Sequence, residues 1–180
     1  MRKKLKIIGQ IFIIVSLVII SFLSVYNYYQ TQKDEEMVND YIEETKIVDE
    51  EEMEKEQPEI KKEYQQEINY TAILEIPSID LKRGVVDSTK NFSSINYAIS
   101  VDEHSNYPDK EGNFILYAHS GNSNISYFKK LINVNIGDGV YVYYKGVKYN
   151  YKITNKYDIE KTGKADVLLS NNDKYITLIT

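Results

Sequence analysis

Three regimes of hydrophobic patterning follow one another along the chain. Residues 7–26 form an apolar run of Ile, Leu, Val and Phe with no charged side chain. A helix of that length, at about 1.5 Å per residue, spans roughly 30 Å, the hydrocarbon thickness of a bilayer. The run therefore predicts a transmembrane helix, and Ser16, Ser21 and Ser24 fit because a hydroxyl can bond back along its own helix. Residues 27–68 form the second regime, rich in Glu and Lys, with Pro58 as their single proline. Met37, Tyr41, Glu44 and Val48 recur at helical spacing, but that stripe is too thin to bury anything by itself. The expectation is a solvated stalk, helical in patches.

From residue 69 onward the pattern changes to short strands. Residues 72–76 and 82–86 are the first two, with a turn at 87–90. Residues 91–100 read as a short helical or irregular passage, and residues 102–112, DEHSNYPDKEG, as a polar loop. Residues 113–120 read as a mostly apolar strand that gives way to Gly121. Ser123 or Asn124 can cap a short helix presenting Ile125, Phe128, Leu131 and Ile132 on one face. Residues 141–144 run into Lys145-Gly146, after which Val147, Tyr149, Tyr151 and Ile153 alternate with polar residues, a hairpin pattern. Residues 158–170 connect onward, and Asn171-Asn172-Asp173 turns into a last strand at 174–180. Many short strands with polar turns predict an all-β domain, a small closed or nearly closed β-barrel with short helices.

Charge sharpens the division. Residues 1–32 carry four basic groups and no acid; residues 33–68 carry 15 acids against 5 bases; residues 69–180 carry 12 against 13. The basic residues before the apolar run and the acids after it predict a cytoplasmic N-terminus at residues 1–6 and an extracellular domain. The alternative, a cleaved signal peptide, fits less well, because its apolar core is shorter and SVYNYYQ is a poor cleavage site. The net charge of −5 argues against a nucleic-acid binder, which requires a basic face. The absence of cysteine excludes disulfides, thiolate metal sites and a cysteine nucleophile within these residues.

The candidate chemistry centres on His119, at the end of a strand where a fold holds a side chain at a rigid rim. Position alone leaves open that His119 merely satisfies a hydrogen bond there. NFILYAHSG at 113–121 together with YITLIT at 175–180 changes that reading, because the pair resembles the sortase family. Sortases are membrane-anchored cysteine transpeptidases of Gram-positive bacteria built on a β-barrel. IPSIDL at 76–81 and IGDGVYVYY at 136–144 extend the resemblance, which covers roughly residues 70–180.

By that resemblance His119 is the catalytic acid and base, Thr180 lines the substrate groove, and the nucleophilic cysteine follows Thr180. The domain at 69–180 is then C-terminally incomplete, lacking the cysteine and a later arginine, and the 180-residue chain is inactive. The implied partners are surface proteins bearing a sorting motif, a cell-wall precursor or pilin amine as acceptor, and membrane lipid around residues 7–26. Neither a cofactor nor a metal is implied. Three rival readings remain. The chain could be a non-catalytic, membrane-tethered extracellular binding domain. Asp102, Glu103, His104, Asp109 and Glu111 could hold a cation, although without EF-hand spacing. His104 and His119 could ligate zinc, although without the usual short spacing.

Overall fold

The structure is a computed structural model, and it describes residues 2–45, 48–49, 70–87, 98–123, 125–160, 167 and 172–180. The expected passage at 91–97, the stalk at 50–68 and most of the 158–170 connection lie outside the described residues. The chain divides into two units, Met1–Glu36 and Met37–Thr180.

The first unit is helical throughout its described length, within α1 (Arg2–Thr45). Its apolar side chains from Ile11 to Tyr29 are exposed, as an apolar run requires when nothing in the protein covers it. Gly9–Thr45 is the stretch long and apolar enough to cross a membrane, with a mean hydropathy of 2.3 over its most apolar window. Ser16 and Ser24 donate to the carbonyls of Phe12 and Ile20 at 2.8 and 2.9 Å, so neither hydroxyl is left unpaired among apolar neighbours.

The second unit begins with the last turns of α1 and continues, among the described residues, through eight strands: β1 (Val48–Asp49), β2 (Ala72–Ile76), β3 (Leu81–Asp87), β4 (Ile99–Val101), β5 (Gly112–Tyr117), β6 (Gly139–Tyr144), β7 (Val147–Lys152) and β8 (Lys174–Ile179). Their order across the sheet is β1-β7-β6-β2-β3-β4-β5-β8. Strands β2 to β8 curl into a nearly closed barrel, with β1 a short parallel addition at the edge of β7. Lys174 at the start of β8 lies 5.1 Å from the ring centre of Tyr149 in β7, bringing the two ends of the curl together.

The barrel interior is filled by alternate residues of each strand. Leu74 and Ile76, Val85, Ile99, Phe114 and Leu116, Val140 and Val142, and Tyr149 form one buried cluster. The β6–β7 hairpin forms where the alternation predicts it. Lys145 and Gly146 both take positive φ, 49° and 80°, the geometry that matches a two-residue loop to the strand twist.

Three expectations need correction. The strand at 113–120 is shorter, Gly112–Tyr117: Ala118 keeps one bond to β8, and the carbonyl of His119 is taken by the Phe128 N–H. The passage after His119 is a run of turns ending in a 3-10 helix, Leu131–Asn133. Phe128 is 1% exposed but Ile132 is 65% exposed, so the expected single apolar face does not form. The stalk is not wholly solvated: Val38 is 3% exposed, and the Tyr41 hydroxyl donates to the Thr71 carbonyl at 3.2 Å. The end of α1 thus belongs to the barrel unit, anchored beside the entry to β2.

Candidate functional site

The site is built on β5. Gly112 opens this strand at φ 117°, a conformation that favours glycine, and a Cβ there would meet the Asn106 side chain at 2.2 Å. Ser105 then locks the strand from the side. Its hydroxyl accepts from the Ile115 N–H at 2.6 Å and donates to the Ile115 carbonyl at 2.9 Å. Strand β5 is antiparallel to β4 and parallel to β8, and its residues are buried on both faces from Gly112 to Leu116, which explains its nearly continuous apolar sequence.

The β5–β8 register runs without interruption from Gly112 opposite Lys174 to Tyr117 opposite Ile179. The Ala118 N–H extends it by donating to the Ile179 carbonyl at 3.2 Å. His119 follows Ala118 directly and Thr180 follows Ile179, so the two chain segments end beside each other. The His119 carbonyl in turn accepts from the N–H of buried Phe128 at 2.9 Å, so the backbone on both sides of the histidine is held. The imidazole-bearing residue and Thr180 are both exposed, at one rim of the barrel on neighbouring strand ends.

Side chains on the two strands alternate between faces. Phe114, Leu116 and Ala118 of the β5 segment, with Ile176 and Leu178 of β8, pack with the core. Asn113, Ile115, Tyr117 and His119 therefore share the opposite face with Tyr175, Thr177 and Ile179. On that face the Asn113 amide donates to the Thr177 hydroxyl at 2.8 Å, and the hydroxyl donates back to the amide oxygen at 3.0 Å. This reciprocal pair was not anticipated from the sequence. Its signal there is slight, two short polar residues on the outward face of otherwise apolar strands.

The polar loop is used differently. His104 is exposed, and its ring nitrogen lies 3.1 Å from Asp102. Asp109 pairs with Lys145 at 3.0 Å, holding that ammonium protonated to higher pH than an ordinary lysine. Asp102 and His104 thus pair apart from Asp109 and Lys145, and among the described residues no three His, Cys, Asp or Glu side chains are placed to hold a metal ion. Tyr107 stacks on Tyr144 with ring centres 5.0 Å apart and donates to Asp87 at 2.6 Å. Burial, and then the Asp87 carboxyl that accepts its proton, push the Tyr107 phenol well above the usual tyrosine range.

A family profile described as Sortase domain matches residues 74–180, more than half of the chain. The chain belongs to the sortase family. Among solved structures it is similar to a sortase D5 transpeptidase of Clostridium perfringens, with a TM-score of 0.58 and 18% identity, over 81% of this chain and 86% of that one. It is also similar to sortase C1 of Streptococcus agalactiae, with a TM-score of 0.52 and 20% identity, over 61% of this chain and 57% of that one. At these identities the likeness is one of fold. The chain thus spans most of the first structure and somewhat over half of the second. Comparison with curated proteins gave no significant match.

Proposed function

We propose that this chain is the anchor, stalk and most of the catalytic barrel of a sortase-type cysteine transpeptidase. The observation that carries the reading is the parallel β5–β8 pairing, which brings His119 near the strand end at Thr180 and so supports a nucleophile in the next position. A cysteine at that position would have its sulfur on the same face as the imidazole, about one strand spacing (~4.8 Å) away. Its thiolate attacks the threonine carbonyl of a sorting motif, and the C–N bond of the tetrahedral adduct breaks as the imidazolium protonates the departing amine. The neutral imidazole then takes a proton from an incoming cell-wall or pilin amine, which attacks the thioester and releases the thiolate. Thr180 lines the cleft beside the nucleophile.

The 180 residues hold no cysteine, and of their two arginines Arg2 precedes the apolar run and Arg83 lies in β3. The oxyanion-stabilising guanidinium of the family is therefore sought, like the thiol, beyond Thr180. The basic N-terminus, residues 7–26 and the acids that follow support a single pass with the barrel outside the cell.

The test uses the protein as the cell makes it. Reading the coding DNA past the Thr180 codon is expected to give cysteine next and arginine within about 15 codons. A stop codon there would favour the tethered binding domain. His119→Ala is then expected to lower sorting-peptide cleavage by about 10²–10⁴-fold. Turnover close to that of the unsubstituted protein would remove His119 from the mechanism.

A further inference from the structure

The Asn113–Thr177 pair crosses the β5–β8 ladder diagonally. In the backbone register Asn113 faces Tyr175 and Thr177 faces Ile115, yet the two side chains reach each other and exchange both hydrogen bonds. Asn113 is 2% exposed, so its amide has been taken out of water to make this contact. Strand β8 pairs with β5 and with no other strand among the described residues. Its apolar pattern fixes the register poorly. The pattern opposes a two-residue slide in one direction, which would bring Lys174 to the place of Ile176, but the opposite slide only puts Leu178 at the place of Ile176 and Thr180 at that of Leu178.

The polar pair does not tolerate that slide. Two residues either way brings Tyr175 or Ile179 to the place of Thr177, and neither offers a short hydroxyl that donates and accepts at once. A one-residue slip turns Thr177 to the core face. From these observations we infer that Asn113 and Thr177 form a register clamp, a positioning pair that sets where the end of β8 stands relative to His119. Two residues of slip would carry that end about 6.6 Å along the strand, and a reacting group displaced by even ~1 Å can lose about 10²-fold in rate.

The inference rests on the function proposed above, so its test carries a readout independent of activity. In the full protein, Asn113→Ala and Thr177→Val are each expected to lower kcat for peptide cleavage by about 10- to 100-fold, with KM changed by less than about threefold. The double variant is expected to be no slower than the worse single one, because either substitution opens the same clamp. Thr177→Ser, which keeps the hydroxyl, is expected to stay within about threefold of the unsubstituted enzyme in kcat.

Hydrogen exchange supplies the independent measure. The Ala118 amide, bonded to Ile179, is expected to exchange at least about tenfold faster in Asn113→Ala and Thr177→Val but not in Thr177→Ser, with the β6–β7 hairpin still protected. Unchanged exchange, or additive losses in kcat, would overturn the clamp. So would loss of protection throughout the barrel in both variants, since the pair would then be a general core bond. A His119→Ala protein that still turned over would sink the function reading instead, and the exchange result would decide the clamp alone.

Discussion

Tyr107 joins three parts of the barrel unit at one side chain, with its ring on Tyr144 and Phe114 and its hydroxyl on buried Asp87. Its phenol is held neutral to higher pH than in an unfolded chain, by burial first and by the Asp87 bond second. The folded state therefore keeps this proton after the unfolded chain has lost it. The stabilisation is complete below the ordinary tyrosine value of about 10 and is lost as pH rises from there through the folded value. Urea denaturation of the native protein and of Tyr107→Phe across pH 8–11 should show the advantage of the native protein constant at first and shrinking above pH 10. An advantage that grew with pH would contradict the assignment. Partnerships of this kind were illegible in the sequence. His119 stood out because a family pattern surrounds it, whereas Tyr107 to Asp87 and Asn113 to Thr177 are set by register and loop path, which no local spacing encodes.

Strands and turns were legible where one physical rule dominated. The β6–β7 hairpin followed from period-two alternation and a turn with two positive φ angles, and β2 falls at 72–76 as its apolar run predicts. Elements whose ends depend on tertiary partners were misread. Strand β5 ends at Tyr117, the His119 carbonyl is taken by the Phe128 N–H, and the segment beyond is held by turn bonds from Ser126 to Ser123, Lys129 to Ser126 and Leu131 to Phe128. The end of α1 is the sharpest case. Its stripe looked too thin to bury anything by itself, yet Tyr41 reaches the residue that leads into β2. Val38 is buried, and Tyr41 hydrogen-bonds to Thr71. Val38→Ala removes two buried methyl groups and should lower barrel stability by about 1–3 kcal/mol, read as a shifted denaturation midpoint at unchanged m-value. An unshifted midpoint would mean that this helical turn contributes nothing to the barrel.

At the scale of the molecule, the sequence divides by charge and by hydropathy at nearly the same places, and the structure divides between Glu36 and Met37. The two units answer to different solvents. The described side chains from Ile11 to Tyr29 gain nothing from the protein and require an apolar surrounding, whereas the barrel unit carries its own core from Ala72 to Tyr149. The start of its β7 edge, Val147 and Lys148, is paired by β1, and the approach of Lys174 to Tyr149 narrows the gap between β7 and β8. A polypeptide beginning at Met37 should therefore stay in the supernatant when membranes are pelleted, with a β-rich circular dichroism spectrum and a cooperative unfolding transition. The chain beginning at Met1 should pellet and be released by detergent but not by high salt, because apolar insertion, unlike charge attraction, is not screened. Aggregation of the shorter chain would show that the barrel needs the first unit to fold, and release of the longer one by salt would show that residues 7–26 do not enter the bilayer.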